Sequence, residues 1–311
     1  MKIITITLNP AFDVHCSIAD LKLHHENLAE IISTDAGGKG VNISRALTLN
    51  GHKNLAFVVL GNENRDSFER ALNSEEISYL SLNVDGRIRE NITCHTEGAP
   101  ETRISFKGFD TNEKLLEKAS ASLLPEIDEG TIVTFTGRVP EGIGIASAKA
   151  FLRKITAKGA KLVIDSRSFA LDDLRDMKPW LIKPNQEEIS EYLGKEVTDF
   201  REIVASAREL HNDGIQNVTV SLGASGAMLV CDEGIYVAKP PRIHAVSTIG
   251  AGDSSIAGFL AAEANGLPPA EKLRLAVAYG SAACLTEGTK PPRPMDISFI
   301  LSKTECESIH S

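Results

Sequence analysis

The sequence predicts an α/β fold with a largely parallel sheet covered by helices on both faces, plus a separate antiparallel flap. Three observations predict it. Short apolar runs at 3–8, 55–60, 131–136, 161–165 and 217–222 alternate with helical stretches, and repeated strand–helix units with right-handed crossovers build such a sheet. The C-terminal ends of these runs carry polar or glycine-containing turns, the edge on which open α/β sheets bind ligands. Residues 88–106 break the pattern and read as a hairpin with a polar turn at 97–101.

Taken in order, residues 3–8 read as a buried strand ended by Asn9-Pro10, with Asp13 following at once. A carboxylate just past an internal strand stands on the binding edge; an Asx-type turn is the other reading. Short β-like pieces fill 14–35. Then Asp35-Ala36-Gly37-Gly38-Lys39-Gly40-Val41-Asn42 opens a helix over 43–49, closed by Asn50-Gly51. Adjacent glycines and Lys39 at a helix start make an anion cradle, with Lys39 supplying formal charge for a substrate phosphate; a flexible turn with an exposed lysine is the alternative. The run 55–60 reads as a buried parallel strand, followed by a helix near 64–74 and a short strand region at 76–80. Arg89 and Arg103 sit at the two ends of the hairpin. They belong either to a flap that closes over a ligand and excludes water or to a solvated hairpin. Helices at 111–124, 143–158 and 199–213, a short one after 188, and helices at 271–287 and 296–302 complete the chain.

The strongest chemical signal is at 247–259. Small residues lead through Gly250, Ala251 and Gly252 to Asp253, where an apolar helix begins. Bare amides at a helix entrance favour an anion. A carboxylate among them is poorly placed for stability and well placed as a base beside a phosphoryl transfer; a tight turn with an N-capping Asp is the plain alternative. The stretch matches neither the Walker pattern nor the dinucleotide fingerprint. Asn185 and Glu188, three apart at a helix start, read as acceptors for water on a magnesium ion or as a helix cap. The turn 221–226 reads as the wall of an adenine or ribose cavity or as a plain hairpin turn.

Composition excludes other classes. The chain has 311 residues, 42% hydrophobic and 24% charged, with 33 basic against 42 acidic residues and a net charge of −9. Without a basic run, nucleic acid is not expected as a partner. No run of about 18 apolar residues suggests a membrane span, and residues 1–8 lack the long apolar region of a secretion signal. Five scattered cysteines without a Cys-x-x-Cys spacing point to reduced thiols and a cytoplasmic setting.

Jointly, Thr7-Leu8-Asn9-Pro10 with Asp13, Ala36 to Asn42, Lys183-Pro184-Asn185-x-x-Glu188, Ser221-Leu222-Gly223-Ala224-x-Gly226 and Ser247 to Asp253 carry a resemblance to the ribokinase-like carbohydrate kinase family. Within it, the chain is similar to the branch of 1-phosphofructokinase, tagatose-6-phosphate kinase and the minor 6-phosphofructokinase. The resemblance implies a three-layer α/β/α core and one domain over 1–311, with a β lid formed by about 14–35 and 88–108. It implies ATP as donor with Mg²⁺, a ketohexose monophosphate as acceptor (fructose 1-phosphate first), and a homodimer through the lid. In such an enzyme Asp253 is the base, and Gly250, Ala251 and Gly252 form the anion hole. Asp13, Gly38 and Asn42 hold sugar hydroxyls, with Gly37 on the same substrate side, while Lys39, Arg89 and Arg103 hold the existing phosphate. Lys183, Asn185, Ser221, Gly223, Ala224, Gly226, Thr248 and Ser281 line the nucleotide site, and Asn185 and Glu188 organise the metal through water. Two departures bear on substrate choice. Gly137-Arg138-Val139-Pro140 replaces the commoner Gly-Ser-Leu-Pro and sets Arg138 near the phosphate. The flap Arg89-Glu90-Asn91-Ile92-Thr93 leans to the minor 6-phosphofructokinase, whereas the Gly-Gly-Lys-Gly stretch and 178–183 lean to 1-phosphofructokinase.

Overall fold

β-Branched and aliphatic residues without a break make Ile3–Thr7 (β1) a strand buried at every position, as a strand flanked on both sides and covered on both faces must be. The computed structural model describes residues 1–309 apart from 99, 195 and 198; residue 99, in the expected hairpin turn, and residues 310 and 311 of the expected domain lie outside it. After β1 come β2 (Ala11–Ser17), β3 (Glu30–Gly37), α1 (Lys39–Leu49), β4 (Leu55–Gly61), α2 (Arg65–Ser74), β5 (Tyr79–Val84), β6 (Arg89–His95) and β7 (Thr102–Ser105). The middle of the chain holds α3 (Lys114–Leu123), β8 (Ile132–Thr136), α4 (Ile145–Thr156), β9 (Lys161–Asp165), α5 (Leu171–Met177), β10 (Leu181–Ile182), α6 (Gln186–Leu193) and α7 (Phe200–Asn212). Then follow β11 (Asn217–Ser221), β12 (Ala227–Cys231), β13 (Gly234–Lys239), α8 (Ala251–Ala264), α9 (Pro269–Ala283), α10 (Pro294–Lys303) and β14 (Glu305–Ile309).

The large sheet runs β14-β13-β12-β11-β10-β9-β8-β1-β4-β5. Pairs from β5 through to β11 are parallel; the β11 to β14 edge is antiparallel. The order reverses beside β1, where chain segments part to either side and open a crevice for ligands. Alternation sends the two faces of each strand into different layers. Ile4 and Ile6 of β1 join a core with Phe68, Leu116, Phe151, Leu174 and Ile203 from α2, α3, α4, α5 and α7. Ile3 joins the other, with Ile43, Phe259, Val277 and Ile300 from α1, α8, α9 and α10. The fold is therefore a three-layer α/β/α core with a mostly parallel sheet. α8 is apolar on nearly all sides and accordingly buried.

A second sheet, ordered β3-β2-β6-β7, stands at the strand ends. It extends from Ala11 to Gly37, past the 14–35 expected from the sequence, and its second part from Arg89 to Ser105. Phe12 anchors its base on α2, its ring 5.2 Å from that of Phe68 in an edge contact. Three differences from the sequence reading have plain causes. Gly38 caps α1, so the helix starts at Lys39 rather than 43. α9 stops at Ala283, where a turn replaces the expected last helical residues. The short helix α5 follows Asp165-Ser166-Arg167 without an apolar period long enough to announce it.

Gly40 marks where α1 crosses β1. A Cβ there would lie 2.4 Å from Thr7 Oγ1 and 2.7 Å from the Ile6 carbonyl oxygen. Backbone cannot turn aside, so α1 would lift off the sheet. Gly40→Ala is expected to destabilise the fold by about 1–3 kcal/mol; a melting temperature equal to that of the parent protein would contradict this contact.

Candidate active site

Strand pairing brings the first group together. Asp13, read as following the first strand on the binding edge or in an Asx-type turn, lies within β2, paired in register with Asn91 of β6. Asn91 Nδ2 donates to Asp13 Oδ1 at 2.9 Å. Arg89, two residues earlier and so on the same face, donates to Asn91 Oδ1 at 3.2 Å. Its Nε is buried and makes no hydrogen bond among the described residues. Burial lowers the Arg89 pKa, Asp13 opposes this, and the neighbouring Arg103 and Arg138 add to it; a guanidinium stays charged regardless. At Gly37 a Cβ would stand 2.2 Å from Asp13 Oδ2, so only glycine lets the carboxylate lie against β3.

The second group gathers on Asp165, the last residue of β9. Lys39 Nζ lies 2.7 Å from its Oδ2 and Lys183 Nζ 3.8 Å from its Oδ1. Burial pushes the Asp165 carboxyl up, but Lys183 and Lys39 outweigh it and hold the group below the usual carboxylate range. Lys39, placed by the first turn of α1, thus pairs with Asp165. Burial pulls its pKa down, and Asp165, Asp253 and Glu188 together bring it above the ordinary value.

The third group is the entrance of α8. Gly250 caps the helix with φ 78°, a conformation that costs glycine little. Among the described residues no carbonyl accepts from the Gly252 or Asp253 amides, and the Ala251 amide makes only a 3.4 Å bond to the Thr248 carbonyl. These are the orphan donors of a first helical turn. Lys183 Nζ comes so close that a Cβ on Gly252 would be 3.3 Å away. Asp253, 6% exposed, accepts from Asn42 Nδ2 at 2.9 Å. Burial pushes its carboxyl up to about 6; Lys39 opposes this, Asp165 adds to it, and the Asn42 hydrogen bond and Lys183 oppose it.

One cavity of about 480 Å³ is lined by Asp13, Gly38, Lys39, Asn42, Arg89, Arg103, Lys183, Asn185, Glu188, Ser221, Gly250, Gly252 and Asp253, joined by Asn91, Asp165, Ile249 and Thr289. Asn91 shares the face of Arg89, a signal the alternation held. Asp165 was visible only as a strand end. Thr289 lies between α9 and α10 with no pattern to mark it. Other expected residues sit outside the lining: Gly37 behind Asp13, exposed Arg138 near Arg89, Ala251 within the helix entrance, Gly223, Ala224 and Gly226 in the turn from β11 to β12, exposed Thr248, and half-buried Ser281 on α9. Asn185 and Glu188 form a reciprocal cap on α6: Asn185 Oδ1 accepts from the Glu188 amide at 2.8 Å, and Glu188 Oε2 from the Asn185 amide at 3.0 Å. Glu188 Oε1 also accepts from Arg167 Nε at 2.9 Å.

A crevice at the reversal of a parallel sheet, with free helix amides beside a buried carboxylate and cations on both sides, is the architecture of a carbohydrate kinase. The chain belongs to the pfkB family of carbohydrate kinases, whose sequence profile matches residues 14–296. It is similar to 1-phosphofructokinase of Haemophilus influenzae, 31% identical over 283 residues, covering 91% of this chain and 90% of that one. It is likewise similar to 1-phosphofructokinase of Bacillus subtilis, 31% identical, covering 92% and 93%. Among solved structures it resembles phosphofructokinase-2 from Escherichia coli in complex with substrates and products, with a TM-score of 0.92, 27% identity, and coverage of 97% and 99%. Among the described residues no helix is long and apolar enough to cross a membrane.

Proposed function

We propose that the protein transfers the terminal phosphoryl group of ATP to a ketohexose monophosphate, with fructose 1-phosphate yielding fructose 1,6-bisphosphate as the first candidate. The observation that carries this reading is the polarity of one cavity. It has a buried carboxylate beside unpaired helix amides at one end and a cluster of guanidinium groups with an unsatisfied Nε–H at the other. An acceptor that already bears a phosphate fits those two ends; an uncharged sugar leaves the Arg89 Nε–H unsatisfied.

In this reading Asp13, Gly38 and Asn42 hold sugar hydroxyls, and Arg89, Arg103 and Arg138 hold the existing phosphate through charge-assisted bonds. Asp253 takes the hydroxyl proton, the alkoxide oxygen bonds to the γ-phosphorus, and the bond to the ADP oxygen breaks. The Gly250, Ala251 and Gly252 entrance holds the developing charge, aided by Lys39 and Lys183, which Asp165 keeps in place. Ser221 with Gly223, Ala224, Gly226, Thr248 and Ser281 forms the nucleotide side. The carboxylates of Asp165 and Glu188 share the cavity with Asn185, and such hard oxygens suit Mg²⁺ held through its own waters. When bound, the ion would neutralise phosphate charge. Exposed Leu28, Ile31, Ile32, Ile104 and Phe106 on the small sheet and its flanks support a homodimer through this lid, and five free cysteines support a cytoplasmic setting.

Similarity to phosphofructokinase-2, with the Arg89–Asn91 flap, favours fructose 6-phosphate as the second reading. A coupled assay of ADP release with fructose 1-phosphate, fructose 6-phosphate and tagatose 6-phosphate separates the acceptors; no turnover with any of them would reject the proposal. Since Asp253 must be ionised to accept a proton, kcat/KM is expected to fall as pH drops below about 6. A profile flat from pH 8 to pH 5 would rule this base out.

A further inference from the structure

Beneath the cavity lies a charged side chain that no role above requires. Arg45, on α1, is 4% exposed. Its Nε donates to Glu75 Oε2 at 2.6 Å, one terminal nitrogen donates to the Ala36 carbonyl, and the other donates to Asn42 Oδ1 at 3.1 Å. Asn42 stands three residues earlier on the same helix, the spacing that sets two side chains side by side.

A carboxamide has an acceptor end and a donor end, whereas a guanidinium has donors only. Arg45 therefore admits the oxygen of Asn42 and turns its nitrogen toward Asp253, to which it donates at 2.9 Å. With the amide reversed, its NH₂ would meet a cation and its oxygen a carboxylate, and both bonds would be lost. A buried arginine is costly to desolvate, and each contact of this one is a hydrogen bond that offsets the cost. One of those contacts reaches Ala36, next to the end of β3, so the same group joins the small sheet to the helix bearing Lys39 and Asn42.

We propose that Arg45 is a positioning residue for phosphoryl transfer: it fixes the Asn42 carboxamide so that the amide engages Asp253 Oδ2 and leaves Oδ1 aimed to accept the substrate's proton. The proposal rests on the reading of Asp253 as base. Arg45→Met removes the donors while keeping an unbranched stem. It is expected to lower kcat about 10- to 100-fold, the worth of one hydrogen bond to a charged group, with little change in KM for ATP. The decisive measurement is a double-mutant cycle with Asn42→Ala. If Arg45 acts through Asn42, Arg45→Met adds little loss in the Asn42→Ala background; effects on kcat that multiply in full would overturn the proposal. Should Arg45→Met not fold, Arg45→Lys, which keeps a cation with a single donor group, is carried through the same cycle and judged by the same criterion. Asp253→Asn distinguishes the two levels. Full activity there overturns the base assignment itself, whereas an inactive Asp253→Asn beside an Arg45→Met enzyme of unchanged kcat overturns this inference alone.

Discussion

Asp253→Asn should lower kcat by about 10²–10⁴, the usual contribution of a positioned general base, while both substrates still bind. The replacement keeps shape and leaves the amide entrance of α8 intact, so the loss isolates proton transfer. The same change should make the protein more stable at neutral pH. The folded carboxyl sits at about 6 against 3.8 for an unperturbed group. Because the folded value is raised, this group's stabilising contribution is present below pH 3.8 and is lost as pH rises through about 6. Holding the ionised form buried at pH 8 therefore costs on the order of 3 kcal/mol, which a neutral amide avoids. A variant that is slow and melts higher is the expected result, by coupled ADP release and thermal denaturation. Near-parental turnover would remove Asp253 from the mechanism, and a lower melting temperature would show that the charge is compensated in the fold.

Arg89→Ala carries the second large effect. In the proposed reading Arg89 pairs with the substrate phosphate, and truncating one partner of a desolvated, hydrogen-bonded charge pair costs roughly 2–5 kcal/mol. KM for the sugar phosphate should therefore rise by about 30-fold or more, with KM for ATP nearly unchanged. Lys39→Ala should behave differently, because its Nζ is bound to Asp165 rather than to the Asp13 group; its main loss is expected in kcat. Equal rises in KM for both substrates in Arg89→Ala would place the arginine cluster on the nucleotide instead.

Much of the fold was readable because the parallel strands are short runs rich in aliphatic and β-branched residues and most of their helices are amphipathic. The antiparallel edge was less so: β13 (Gly234–Lys239) forms a local hairpin with β12, whereas β14 (Glu305–Ile309) alternates weakly and depends on long-range pairing with β13. At the site, Lys39, Asn42 and Asp253 were visible because glycines and helix starts have local signatures. Asp165 showed only as a strand end and Asn91 only through its alternation with Arg89, since both acquire their meaning from what pairs across them. The sequence could not say that Lys39 would meet Asp165, because that depends on how far α1 turns before its first side chain leaves the helix; Gly38 as cap starts the helix one turn early.

The small sheet is rooted in the core where Ala11 is in register with both Gly37 and Arg89, and farther along β2 the His15 ring also lies close to Gly288. Three of its strands thus share one pivot, and any swing about it would have to part His15 from Gly288. At about 3.3 Å per residue, Asp13 lies roughly 7 Å from that pivot and Ser17 roughly 20 Å. A swing of about 10° would then carry the outer residues some three times farther than Asp13, about 3.5 Å against little more than 1 Å. In the proposed reading, groups that touch the sugar would barely travel, while the far rim would sweep enough to admit or shut out solvent.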